Sequence, residues 1–121
     1  MTRSMFVLLA AALFLVASPV RGQLTAPKIE GQIDKLRSLP QDKRPAETIR
    51  LALATQALPA GTAKVRVADE LSHLVTEGDQ GADALQAVAD ALAKALAETP
   101  VPAKGNEPPM PYFDLARLVR Y

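Results

Sequence analysis

The chain has 121 residues, with fourteen basic and thirteen acidic side chains interspersed along it and no cysteine. Once a leader is set aside, that length suits one small domain rather than two, and the mixed charge leaves no footprint for nucleic acid or an anionic membrane. The missing thiol excludes disulfides, thiolate metal sites and cysteine nucleophiles within these residues.

Residues 1–22 read as a secretory signal peptide. Met1 to Met5 carry Arg3 and no acid, Phe6 to Ala17 run FVLLAAALFLVA without a charge, and Ser18 to Gly22 place small residues near a cut after Gly22. This is the order a signal peptidase requires. The apolar run is about a dozen residues, short of the roughly twenty needed to span a bilayer. A lipoprotein would need a cysteine at the cut. The expected product is therefore soluble, begins at Gln23, keeps no stable membrane anchor and resides outside the cytoplasm, in a periplasm or secreted. Without Arg3 and Arg21 it carries twelve basic and thirteen acidic residues and is close to neutral.

Residues 23–98 divide into four helices at their prolines and glycines. Pro27 opens the first, Ile29, Ile33 and Leu36 fall on one face, and Pro40 closes it. Asp42 and Pro45 suit the start of a second, with proline in its first turn. Ile49 and Leu53 share a face there with Ala46, Ala52 and Ala57, while Leu51 and Leu58 point the other way. Apolar residues on two sides predict a helix covered on two sides, at the centre of the domain. Pro59-Ala60-Gly61 breaks the chain. A third helix over Ala63 to Thr76 gathers Val67, Ala68, Leu71, Leu74 and Val75, with Gly78 as its expected C-cap. After the turn at Asp79 to Gly81, a fourth helix to Glu98 carries Leu85, Val88, Ala89, Leu92 and Leu96 on one stripe, with Asp90 and Lys94 placed to pair on the other side. Leu39-Pro40, Leu58-Pro59 and Gly78 recur at a spacing of nineteen. The side chains between them do not match, so this reads as a shared helix length rather than a true repeat.

Residues 99–111 contain Pro100, Pro102, Pro108, Pro109 and Pro111, half of all the prolines, and predict an extended, semi-stiff linker. Residues 112–121 then resume an amphipathic pattern with Leu115, Ala116, Leu118 and Val119 as the apolar set. Tyr112, Phe113 and Tyr121 are the only aromatics after the leader. They either dock back onto the bundle or anchor an interface, and are the candidate interface residues. The pattern still runs at Arg120-Tyr121, without a glycine cap or polar tail, an ending shared by complete small proteins and truncated ones.

Chemistry-bearing constellations are few. His73, the only histidine, shares a helix face with Arg66, Asp69, Glu70 and Glu77. An acid–base pair or metal site would draw on Asp69 or Glu77, but zinc needs three or four ligands and one helix face does not supply them. The expected state is a solvated polar face. Ser38 and Ser72 lack the nucleophile elbow, and Gly78 and Gly81 lack the lysine and strand of a phosphate loop. Catalytic residues, cofactors and metal ligands are all expected to be absent.

The segment ALPAGTAKVRVADELSHLVTEGDQGADALQAVADALAKAL, Ala57 to Leu96, and the closing PYFDLARLVRY resemble the helical region preceding the thioredoxin-like domain of some exported bacterial redoxin-type proteins. The likeness spans roughly Ile33 to Tyr121. It implies an accessory helical part of a longer extracytoplasmic protein. The family's Cys-x-x-Cys centre has no counterpart in these residues, so no catalytic position carries over. The reading as a whole is all-α: a small helical bundle or helical-hairpin array of four helices plus a short C-terminal helix. Its expected role is a non-catalytic interaction or scaffold module, whose partner is another protein or a downstream domain of the same chain.

Overall fold

The computed structural model describes residues 24–120; residues 1–23, which include the expected signal peptide, and Tyr121 lie outside them. Five helices follow in order among the described residues: α1 Ala26–Leu36, α2 Arg44–Gln56, α3 Thr62–Val75, α4 Ala82–Glu98 and α5 Met110–Leu118. The chain is all-α over this span, with only an isolated bridge between Lys104 and Glu107. No helix among these residues is long and apolar enough to cross a membrane.

Helix α1 forms as its sequence dictates. Pro27 sits in the first turn, where its missing N–H costs nothing, and Ile29, Ile33 and Leu36 are buried at helical spacing. The side chain of Arg44 closes the α1–α2 turn, donating from Nε to the Leu39 carbonyl at 2.9 Å and from Nη2 to the Arg37 carbonyl at 2.8 Å.

Helix α2 is oriented differently from the expectation. Its buried stripe is Thr48, Leu51, Ala52 and Thr55, whereas Leu53 is 58% exposed and Ile49 only half-buried. The Thr55 hydroxyl donates to the Leu51 carbonyl at 2.7 Å, while the buried Thr48 hydroxyl has no hydrogen-bond partner among the described residues. A back-bond such as that of Thr55 lets a polar side chain pass as apolar.

The central element is α3, not α2: it alone packs against all four other helices. The expected stripe of Val67, Ala68, Leu71, Leu74 and Val75 is buried, and Val65 and Ser72 join it. Helix α4 lies chiefly on α2 and α3. It buries Val88, Ala89, Leu92 and Leu96 together with Ala84, Ala91 and Ala95, while Leu85 is half-buried. Two local expectations fail. Asp90 accepts a hydrogen bond from Gln86 at 2.8 Å rather than pairing with Lys94. Gly78 is not among the glycines with positive φ, and α3 is capped instead by Thr76, whose hydroxyl donates to the Ser72 and His73 carbonyls at 3.1 Å. Left-handed backbone appears instead at Gly81, φ 88°, where the Asp79 carboxylate accepts from the Gly81 N–H at 3.0 Å.

The proline segment is not extended throughout: it reverses in a tight turn between Lys104 and Glu107, with Gly105 at φ 82°, and it is not free. Val101 packs against the core, and its N–H donates to the Tyr112 hydroxyl at 3.1 Å. Helix α5 begins earlier than expected, at Met110, with Pro111 in its first turn, a position that tolerates proline. It rests on α3 and α4.

Lys64 joins these elements. It is 2% exposed, and its ammonium donates to the Gln56 carbonyl at 2.8 Å and the Leu58 carbonyl at 2.9 Å, and contacts Glu98 Oε1 at 2.7 Å. Three donors meet three acceptors. The charge therefore ties the end of α2, the α2–α3 turn and the end of α4 together.

Candidate functional site

His73 does not face open solvent alone. It lies one turn beyond Asp69 on α3, and α5 brings Asp114 against both. His73 Nε2 stands 3.1 Å from Asp114 Oδ2 and 3.8 Å from Asp69 Oδ2. One ligand atom from each of the three residues lies within 4.8 Å of the other two. The side chains span a gradient from solvent to core: His73 is 51% exposed, Asp69 23% and Asp114 2%.

The electrostatics follow from that enclosure. Burial, reinforced by the neighbouring Asp114 carboxylate, pushes the Asp69 carboxyl up to about 7, against the opposing pull of His73 and the Ser72 hydroxyl. Arg117, three residues beyond Asp114 on α5, places Nη2 3.3 Å from Asp114 Oδ1. The other oxygen, Oδ2, is buried and has no hydrogen-bond partner among the described residues. The imidazole approaches it but does not meet it in hydrogen-bond geometry.

Beside the cluster runs an apolar groove of about 280 Å³ between the first half of α3 and the proline segment, lined by Thr62, Val65, Arg66, Asp69, Pro100 and Val101 among others. Asp69 belongs to both. A second, more polar cleft of about 400 Å³ opens where the α1–α2 turn meets the end of α3. Its arginines are already engaged: Arg37 forms a two-pronged pair with Glu77, and Arg44 caps α1.

The residues singled out from the sequence separate in space. Of His73's two expected partners, Asp69 is close, while Glu77 turns to Arg37, which holds its carboxyl below the usual range. Arg66 pairs with Glu30 of α1 at 2.8 Å. The expected solvated face of α3 is largely open, with Arg66, His73 and Glu77 exposed, and is partly covered at Asp69 and Glu70. Ser72 is buried and donates to its own helix, to the Asp69 carbonyl at 2.6 Å, and Ser38 likewise to the Lys35 carbonyl. Neither is presented as a nucleophile. Among the candidate interface aromatics, Tyr112 is half-buried against the core, Phe113 is 49% exposed, and Tyr121 falls outside the described residues.

Asp114 and Lys64 went unremarked in the sequence. Asp114 shares a register with buried Leu118, four residues on, and a lone acid on an apolar face is the signal that marks it. Lys64 gives no such signal, because two of its partners are backbone carbonyls. No family profile, curated protein or solved structure matches the chain, so a functional reading draws on geometry and sequence.

Proposed function

We propose that the chain is an exported, non-catalytic helical interaction or scaffold module. The observation that carries this reading is the start of α5, where Met110 is 64% exposed and Phe113, one turn on, 49% exposed; Val119, 75% exposed, lies past the helix on another side. Large apolar side chains left in water on one short element are the usual mark of a contact surface. The leader-like order of residues 1–22 supports export. The non-catalytic part draws support from the single histidine and the lack of a nucleophile elbow.

The test places a photo-crosslinking residue at Phe113 in the full chain, expressed in a bacterium with an envelope, and determines the N-terminus of the product. A chain beginning at Gln23, with a discrete adduct that Met110→Glu abolishes, is the expected result. A chain that keeps Met1, or one that never forms an adduct, overturns the reading. The alternative is an accessory helical region of a longer extracytoplasmic thioredoxin-like protein. It draws on the same apolar start of α5, which would then cover a downstream domain, and an open reading frame past codon 121 encoding a Cys-x-x-Cys motif would favour it.

A further inference from the structure

We propose that Asp69, His73 and Asp114 form a binding site for one divalent transition-metal cation, zinc or a close analogue, which clasps α5 onto α3. Three features converge. The first is the chemistry of the donors: one imidazole and two carboxylates form a mixed nitrogen and oxygen set, which suits zinc, manganese or iron better than calcium or magnesium.

The second is spacing. Two ligands bonded to zinc at about 2.0 Å with a tetrahedral angle stand about 3.3 Å from each other. The His73–Asp114 and His73–Asp69 separations of 3.1 and 3.8 Å straddle that value. The three ligand atoms lie within 4.8 Å of one another, and the half-exposed imidazole is free to turn toward the two carboxylates.

The third is the orphaned oxygen. Asp114 is 2% exposed, and its Oδ2 faces the other two groups without a hydrogen-bond partner among the described residues. Buried polar atoms rarely go unpaired, and this one, unlike the unpaired Thr48 Oγ1 in α2, faces an imidazole and a second carboxylate that a bound ion would join to it. Arg117 does not fill that role. Its guanidinium is on Oδ1, where it orients the carboxylate as outer partners of metal ligands do. A divalent cation would balance the two carboxylates, and the half-exposed side of His73 leaves room for water to complete the coordination.

The missing third ligand was the reason to expect no metal on this helix face. Helix α5 supplies it from about forty residues further along the chain. The proposed site fastens α5 to α3 and does not depend on the interaction role argued above.

Zinc chloride titrated into the full chain, purified without a histidine tag and stripped with chelator, tests the proposal by calorimetry and thermal melting. One zinc per chain and a raised melting temperature are expected. His73→Gln and Asp114→Asn should each weaken binding by about tenfold or more, while Asp90→Asn, an exposed acid on α4, leaves it unchanged. His73 is half-exposed, so its replacement keeps the fold even if Asp114→Asn does not. Absence of binding, or binding that His73→Gln leaves intact, overturns the proposal.

Discussion

Lys64 and Asp114 are each 2% exposed, yet the bundle provides for them differently. The Lys64 ammonium spends its three protons on two carbonyls and the Glu98 carboxylate. Asp114 has Arg117 on one oxygen and leaves the other facing Asp69 and His73. A buried charge with every partner in place is an architectural joint. One with an unpaired atom, a neighbouring like charge and a nitrogen donor beside it is a place where something else can bind. The contrast teaches that burial alone does not distinguish a strut from a site; the groups gathered around each buried charge do.

The comparison is broken most forcefully at Lys64. Lys64→Ala strands two carbonyls and should cost about 3–5 kcal/mol, read as a drop in the urea midpoint. A loss no larger than that of an exposed lysine such as Lys94 would show that the joint is not needed. Leu92→Ala calibrates the scale. Leu92 is fully buried on α4, and the cavity should cost about 2–5 kcal/mol. If the two variants melt alike, satisfying a buried ammonium matters as much here as filling the core.

A smaller effect sharpens the other side. In chelator-treated protein, Asp69 has its carboxyl raised from an ordinary 3.8 to about 7. A raised acid binds its proton more tightly in the folded state. Its contribution is therefore intact below pH 4 and is lost as pH rises through about 7. Melting temperature should fall across that window, and Asp69→Asn should flatten the fall. A flat profile in the parent chain would contradict the crowding of Asp69 against Asp114. Glu98 runs the opposite way: Lys64 holds its carboxyl below the usual range, so that contact is lost on acidification.

The smallest effect belongs to the surface. Glu77→Gln removes the partner of Arg37, and both side chains are about half exposed. Solvent and salt screen such a pair, and its measured worth is typically near zero. A melting temperature indistinguishable from the parent's at high salt is expected.

The fold was legible where apolar spacing decides it. Ile29, Ile33 and Leu36 in α1, Val67, Leu71 and Leu74 in α3, and Val88, Leu92 and Leu96 in α4 read as stripes and are buried as stripes. Helix α2 misled because two threonines, Thr48 and Thr55, occupy its buried face while Leu53 stays in water. Hydropathy ranks threonine below leucine; at Thr55 a back-bonded hydroxyl offsets that order, whereas the Thr48 hydroxyl is buried without a partner among the described residues. The candidate site was half legible. Asp69 and His73 are one turn apart, so their proximity follows from helix geometry. Asp114 comes from a different helix, and only the docking of α5 joins it to them. Nothing in helical periodicity reports such a long-range meeting.

The proline segment and its hydrogen bond from Val101 to the Tyr112 hydroxyl have a consequence for how the last helix folds. Nine residues are too few to hold a helix in water by themselves. Helix α5 therefore behaves as a ligand that its own chain delivers: it coils as it lands, and Leu118, Asp114 and Tyr112 are the groups that land. The short connection from Glu98 to Met110 keeps its local concentration high. Whatever strengthens the landing orders the helix, and whatever competes for it returns Met110 to Arg120 to an unstructured tail.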